Sequence, residues 1–299
     1  MKLDIESLRV LDAIVSEGSF SKAAERLCKA QSAISYQIKK LEQQLGFDLF
    51  DRSHYRATLT AKGQVLWTEG RRMLELAAHI ETLANRYQEG WEPTLELVID
   101  AALPIEPVFK ALKTLVDQQI PTRTKVKVEA LGGVQMRFEQ DAADLMLVKD
   151  HVPRFNLKAT PLPTISVVLV ANKTHPLARQ QNISLEQLHD HVELTIQDTS
   201  DASYNRPDPL QFGGDRVFYM NGFMTKKTGL LMGLGFGWMP YFMINHELKN
   251  GELKELDTLS ASRISFTPKL VFDTQRPLGK AGAMITELIL AEFQLFAEN

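Results

Sequence analysis

The sequence predicts an α+β multidomain chain: an N-terminal winged helix-turn-helix, a long linker helix, and a C-terminal α/β region of two subdomains. Three observations lead there. Helix-period apolar patterns broken by short turns fill residues 4–45, one long helical pattern runs from 61 to 87, and beyond Pro93 apolar strand-like runs alternate with helical segments. A chain of 299 residues suits two or three domains. Its 44% hydrophobic and 24% charged content excludes a disordered or collagen-like chain and can fill more than one core.

Ile5, Leu8, Leu11, Ile14 and Val15 recur at helical spacing, and Gly18 stops that helix. Ser21 is expected to cap a second helix, Lys22 to Leu27, whose Ala23 and Ala24 let a neighbour approach closely. After a break at Cys28–Ala30, a third helix runs from Gln31 to Leu45 and closes at Gly46. Helix, short turn, helix is the shape of a helix-turn-helix unit. At about 100° per residue, Ile34, Ile38, Leu41 and Leu45 fall within roughly 60° and form the buried stripe. Ser32, Tyr36, Lys39 and Gln43 lie opposite, flanked by Gln31 and Ser35, and Glu42 sits near the buried side. Solvated helix faces usually mix both charge signs; this one is polar and acid-free, as a DNA-reading face requires.

Leu49, Phe50 and Leu59 then frame a two-stranded wing whose tip carries Arg52, His54 and Arg56, suited to phosphate. Residues 1–90 carry 13 Lys+Arg against 12 Asp+Glu, and 21–56 carry 7 against 4. This mild excess permits nucleic-acid binding without requiring it. Thr60 can cap the long helix, in which Leu66, Met73, Ile80 and Tyr87 recur every seven residues and Leu76 and Leu83 fill the second seam. Glu69, Gly63 and Gly70 interrupt it. The seam finds no partner in so small a domain, so it predicts a dimer. Gly90, Trp91 and Pro93 mark a boundary.

Beyond it the expected strands are Leu95–Ile99, Lys125–Ala130, Asp144–Val148, Ile165–Val170, Val192–Ile196, Arg216–Met220, Phe236–Met239, one near Leu253, and Lys269–Phe272. Helices are expected at Val108–Val116, Gln135–Ala142, Ser184–His189, Phe223–Leu234, after Pro240, and at Ala281–Phe296. Apolar strands alternating with helices predict parallel sheets covered by helices. The expected division is 1–60, 61–90 and 91–299, with one subdomain at 91–162 and 267–299 and the other at 163–266.

Other functions fare worse. Gly233, Gly235 and Gly237 follow a helix and precede a strand, the reverse of a dinucleotide loop. His189 and His191 lack a third ligand nearby. No Gly-x-Ser-x-Gly elbow occurs, and Cys28 reads as a small buried hydrophobe. No catalytic residue, metal site or cofactor is expected. A single cysteine excludes an intramolecular disulfide framework. The acidic N-terminus is unlike a signal peptide, and the uncharged run Thr228–His246 is broken by glycines and Pro240, so a cytoplasmic protein without a membrane span is expected. A solute-binding protein for transport would not need the N-terminal unit, and an architectural DNA-binding protein would not need the cleft.

Gly18–Leu27 (GSFSKAAERL) and Gln31–Gly46 (QSAISYQIKKLEQQLG), followed in register by Leu49-Phe50-Asp51-Arg52 and Leu59-Thr60, resemble the N-terminal motif of LysR-type transcriptional regulators over residues 4–66. His175-Pro176-Leu177-Ala178 and Gly233–Pro240 resemble two weaker signatures of that family's effector domain. The resemblance implies a winged helix-turn-helix, a dimerising linker helix, and a periplasmic-binding-protein-like effector domain that takes a small molecule in its cleft. It also implies double-stranded DNA as partner, a homodimer through the linker helix, a homotetramer beyond it, and a place for RNA polymerase. The chain departs from the family pattern at Ala30, where Ser or Thr is common, at Ser32, where Pro is common, and at Tyr36, where Arg is frequent. Around Asp100–Pro104 it lacks the hydroxyl that often touches a bound carboxylate.

The expected DNA contacts are Ser21, Lys22, Gln31, Ser32, Ser35, Tyr36, Lys39, Lys40, Arg52 and Arg56. Strand ends should bound the cleft. The expected effector contacts are Asp100, Ala101, Ala102, Leu103, Gly133, Val134, Gln135, Asp198, Thr199, Phe223, Met224 and Trp238. Helix starts near Pro104, Val134 and Phe223 offer N–H groups to an anion. Asp100, Asp198 and Asp201 oppose a strongly anionic ligand, and Phe212, Phe223, Met224 and Trp238 offer apolar walls, so a neutral or aromatic, weakly charged effector is expected.

Overall fold

The computed structural model describes residues 3–51, 58–204 and 208–298. The chain divides into two compact units, Met1–Glu89 and Gly90–Asn299.

The first unit runs α1 (Ile5–Glu17), α2 (Phe20–Arg26), α3 (Gln31–Leu45), β1 (Phe50–Asp51), β2 (Thr58–Leu59) and α4 (Ala61–Gln88). The Asp4 carboxylate caps α1 by accepting from the Ser7 N–H at 2.7 Å, and Gly18 ends it with φ 69°. The cap of α2 is Ser19, whose Oγ accepts from the Lys22 N–H at 3.2 Å; Ser21 lies inside the helix and faces solvent. The helix starts one residue after the capping hydroxyl, so the earlier serine takes the role. Cys28 is also not buried: it is exposed with φ 53°, where the chain turns out of α2.

Val10, Leu11, Ile14, Ala23, Ile34, Ile38 and Leu41 form the core with Leu49 and Phe50. Glu42 is buried and accepts from the N–H groups of Leu49 (2.8 Å) and Phe50 (3.3 Å), which fixes the turn from α3 into the wing. The wing strands pair antiparallel, Phe50 with Leu59 and Asp51 with Thr58. Thr60 Oγ1 then accepts from the Gly63 N–H at 3.0 Å and donates to the Asp48 carbonyl at 2.8 Å. A Cβ at Gly63 would collide with the Leu49 carbonyl. The glycine that interrupts the heptad pattern is therefore where α4 lies against the chain entering the wing. Leu66 and Trp67 pack on the core, and the Trp67 indole donates to Asp12 at 2.9 Å.

The second unit runs β3 (Thr94–Asp100), α5 (Glu106–Asp117), β4 (Arg123–Glu129), α6 (Gly132–Gln140), β5 (Leu145–Val148), β6 (Leu157–Pro161), β7 (Ile165–Asn172), α7 (Leu185–His189) and β8 (Glu193–Ile196). It continues with β9 (Val217–Met220), α8 (Phe223–Leu231), β10 (Phe236–Pro240), α9 (Tyr241–Lys249), β11 (Leu253–Glu255), β12 (Arg263–Phe266), β13 (Lys269–Asp273) and α10 (Lys280–Glu298). One sheet has the order β4-β3-β5-β13-β6, the other β11-β7-β10-β8-β9 with β12 also on β7. Leu95, Leu97 and Ile99 of β3 share a core with α5 and α10, while Val98 packs with Val134 and Phe138 of α6.

The sheets are mixed, not parallel. β3 is parallel to β4 and β5, and β8 to β9 and β10. β13 is antiparallel to β5 and β6, and β7 to β10, β11 and β12. The reason is the double crossing of the chain from β6 into β7 and back from β12 into β13. A strand arriving from the other sheet enters at the end where its neighbours finish, so it runs against them. β6 and β12 have no counterpart among the expected strands: both are short and half-exposed, and they lack the apolar run that marks the inner strands.

Replacing Gly63 by Ala should push α4 off the Leu49 carbonyl and destabilise the chain by about 1–3 kcal/mol, as overpacking does. Urea unfolding followed through tryptophan fluorescence would measure it.

Candidate functional site

The first candidate surface is α3. Gln31, Ser32, Ser35, Tyr36, Lys39 and Lys40 are all exposed, Tyr36 at 70%, while Ile34, Ile38, Leu41 and Glu42 are buried. Ser21 and Lys22 are exposed on α2. Ala30 stands at the α3 N-cap with no side-chain hydrogen bond, so the helix start is held by backbone alone, with the Ala33 N–H on the Ala30 carbonyl at 3.0 Å. Arg52 and Arg56 lie outside the described residues. The surface thus presents hydroxyls, an amide, a phenol and ammonium groups without a carboxylate on α3 facing outward.

The second is a cavity in the Gly90–Asn299 unit. Asp100, Ala102, Phe223 and Trp238, four of the expected effector contacts, line it. Gln135 lines an adjoining recess that shares Asp100, Leu131, Lys149 and Asp208 with the cavity. Its amide is already engaged, accepting from the Val152 N–H at 2.8 Å and donating to Glu139 at 2.8 Å. Leu103, Gly133 and Val134 are buried in the fold and do not reach the cavity. Ala101, Thr199 and Met224 line a different, shallow recess.

Asp198 and Thr199 do something else. Asp198 Oδ2 accepts from the Gly132 N–H at 3.4 Å, occupying the α6 start that was expected to offer N–H groups to a ligand. Thr199 Oγ1 accepts from the Ala130 N–H at 3.0 Å and donates to the Ala130 carbonyl at 3.1 Å. The Tyr204 hydroxyl donates to Glu139 at 2.5 Å. The loop leaving β8 is therefore a latch onto α6 and the end of β4. Asp201 accepts from the Ser203 N–H at 3.0 Å and the Gln140 amide at 3.5 Å, outside the cavity. Of the three acids that argued against an anion, only Asp100 faces the cavity.

Sequence reasoning missed Lys226, Glu193, Thr195, Lys149, Asp208 and Leu131, all of which line it. One had a visible signal. Glu193 is a carboxylate in an otherwise apolar strand, and charged residues are almost never fully buried without a reason. Lys226 carries none in the sequence. It is 3% exposed and makes no hydrogen bond or ion pair to a described residue. A Cβ at Gly237 would stand 3.3 Å from its Nζ, so the glycine on β10 clears the passage of the lysine stem. Burial pulls the Lys226 ammonium down to about 8, against the opposing pull of the Glu193 and Asp208 charges. Burial likewise raises Asp100 and Glu193, although Asp100 accepts from the N–H groups of Ala102 (2.9 Å) and Lys149 (3.3 Å) and Glu193 from that of Phe212 (3.1 Å).

A winged helix with an acid-free outward face, carried on the same chain as a two-sheet unit whose cavity mixes apolar walls with charged groups, has the makeup of a ligand-responsive DNA-binding protein. Residues 5–64 match the bacterial regulatory helix-turn-helix protein, lysR family, and residues 90–293 match the LysR substrate binding domain. The chain belongs to the LysR family of transcriptional regulators, with a DNA-binding helix-turn-helix and a domain that takes a small-molecule effector. It is 32% identical over 268 residues to the probable HTH-type transcriptional regulator YhaJ of Escherichia coli K12, covering 88% of each chain. Among solved structures it resembles a mutant of OxyR from Corynebacterium glutamicum, with a TM-score of 0.61, 18% identity and coverage of 100% of this chain and 95% of that one. It also resembles full-length LysG of Corynebacterium glutamicum with bound effector Arg, with a TM-score of 0.54, 21% identity and coverage of 98% and 99%. Both likenesses concern the fold. No described helix is long and apolar enough to cross a membrane.

Because Lys226 titrates lower in the folded chain than in the unfolded one, its protonated form opposes folding at neutral pH. Lys226→Met should therefore stabilise the ligand-free protein, by on the order of 3 kcal/mol below pH 8. The gain should shrink as pH rises from about 8 toward the ordinary lysine range, where the unfolded chain also loses its proton. Denaturant titrations at several pH values would follow it.

Proposed function

We propose that this regulator reads double-stranded DNA with α3 in the major groove, pairs through α4, and is switched by an effector in the cavity lined by Asp100, Phe223 and Trp238. The acid-free, exposed face of α3 carries the reading. Tyr36, Ser32 and Lys39 stand where base edges would be, with Gln31 and Ser35 beside them. Ser21, Lys22 and Lys40, with Arg52 and Arg56 from the wing, serve the phosphates. Exposed Met73, Leu76, Ile80 and Tyr87 along α4 support a dimer through that helix, and homotetramers built from such dimers. The protein works as a regulator without catalysis, in the cytoplasm where its DNA is, with RNA polymerase as a second contact at the promoter. A ligand switches it only by binding one arrangement of the two sheets better than another.

Tyr36→Ala should lose about 1–3 kcal/mol at the contacted base pair and relax preference there. Arg52→Ala should weaken all sequences alike and lower the salt slope by about one unit. Mobility shifts on operator and scrambled DNA over a salt series would separate these outcomes, and wild-type behaviour of Tyr36→Ala would refute the assignment of the reading face.

Ile80→Asp, which puts a charge into the α4 seam, should cost the dimer several kcal/mol. Sedimentation velocity is the measurement; an unchanged oligomer would move the interface elsewhere.

A further inference from the structure

Resting on the reading of the cavity as the effector site, we propose that it takes a small monoanion with a flat apolar body, an aromatic monocarboxylate. The carboxylate sits on the Lys226 ammonium and the Thr195 hydroxyl, and the ring lies against Trp238 and Phe223.

The polar groups of the cavity are unequally satisfied. Its carboxylates are engaged: Asp100 by two backbone N–H groups, Glu193 by that of Phe212, and Asp208 by that of Leu210 at 3.0 Å. The Lys226 ammonium has no hydrogen-bond or ion-pair partner among the described residues and lies only over the Phe223 ring, 5.9 Å from its centroid, although it is almost wholly removed from water. Three N–H donors without an acceptor in a desolvated site are costly, and a ligand oxygen relieves that cost. Thr195 lines the same cavity, two residues from Glu193 on β8 and so on the same strand face, and its hydroxyl has no described partner. What the cavity lacks is therefore an acceptor, not a donor.

Charge sets the number. Lys226 and Lys149 face Asp100, Glu193 and Asp208 across the cavity. Lys149 Nζ lies over the Phe266 ring at 5.5 Å and its backbone N–H serves Asp100. One negative charge on the ligand pairs with Lys226; because three carboxylates already stand against two ammonium groups in the cavity, a second charge is opposed. A cationic ligand would meet the ammonium and find the acids already bonded. The apolar remainder of the wall, with Trp238 and Phe223, fits a flat hydrocarbon body.

The test is calorimetry on the full-length protein with three probes of one shape: benzoate, benzamide and benzylamine. Benzoate should bind at least tenfold more tightly than the other two. Its affinity should fall about tenfold between pH 7 and pH 9, as Lys226 discharges near 8. Lys226→Met should remove both the preference and the pH dependence while leaving benzamide binding intact, and the benzamide signal verifies that the variant is folded. The ligand class is overturned if benzylamine or benzamide equals benzoate, if Lys226→Met binds benzoate as the parent does, or if none of the three binds. Trp238→Ala separates the two levels. Where another probe binds in place of benzoate, its loss in this variant keeps the effector cavity while the class falls; benzoate binding untouched by both substitutions removes both.

Discussion

The ligand-binding unit depends on two short chain crossings that lie side by side. The chain leaves the first sheet after β6, enters β7, and returns from β12 into β13. The crossings are bonded to each other: the Leu162 N–H donates to the Pro268 carbonyl at 2.8 Å, and the hydroxyls of Thr164 and Thr267 meet at 3.1 Å. Because both crossing strands start at the cavity side, the parallel strands β3, β5, β8 and β10 all finish there. Chain ends leaving those strands supply Asp100, Lys149 and the loop after Ile196, so a cavity lined by strand ends follows from the path of the chain.

The same path puts two kinds of contact across the cavity. The latch at Asp198, Thr199 and Tyr204 ties the loop after β8 to α6 and the end of β4 through four hydrogen bonds, two neutral ones between Thr199 and Ala130 and two in which the Asp198 and Glu139 carboxylates accept. The cavity beneath is charged and only partly satisfied. The neutral latch bonds are each worth about a kilocalorie net and those to carboxylates somewhat more, while inside the cavity the Lys226 ammonium has no hydrogen-bond partner among the described residues.

At the wing, the DNA-binding unit is held by polar contacts. Glu42 and Thr60 bond the backbone on either side of the wing, to Leu49 and Phe50 and to Asp48 and Gly63. The wing strands are only two residues each, too short to hold themselves. Their position is fixed from α3 and α4, and α3 thereby keeps its polar face outward.

Much of this was legible in the chain. The heptad and 3.6-residue patterns placed α1, α3 and α4 because a stripe is a local property; those of α1 and α3 pack on one nearby core, whereas Met73, Leu76, Ile80 and Tyr87 of α4 stay exposed. The exposed polar face of α3 followed from the same angles. The strands that are buried on both faces were equally plain, since they read as apolar runs. What tertiary structure decided were the features set by a distant partner. Ser19 displaced Ser21 as cap because helix start depends on backbone path. Cys28 faces solvent because the chain turns out there with a positive φ. β6, β12 and the antiparallel pairings came from the crossings, and composition says nothing of direction. Asp198 and Thr199 became a latch because α6 comes to lie beneath them. Lys226 reads as one more surface lysine in Phe223–Leu231; only the approach of β8 and β10, with Gly237 making room, seals its ammonium in a cavity, and desolvation exists only once distant parts of the chain have closed around a charge.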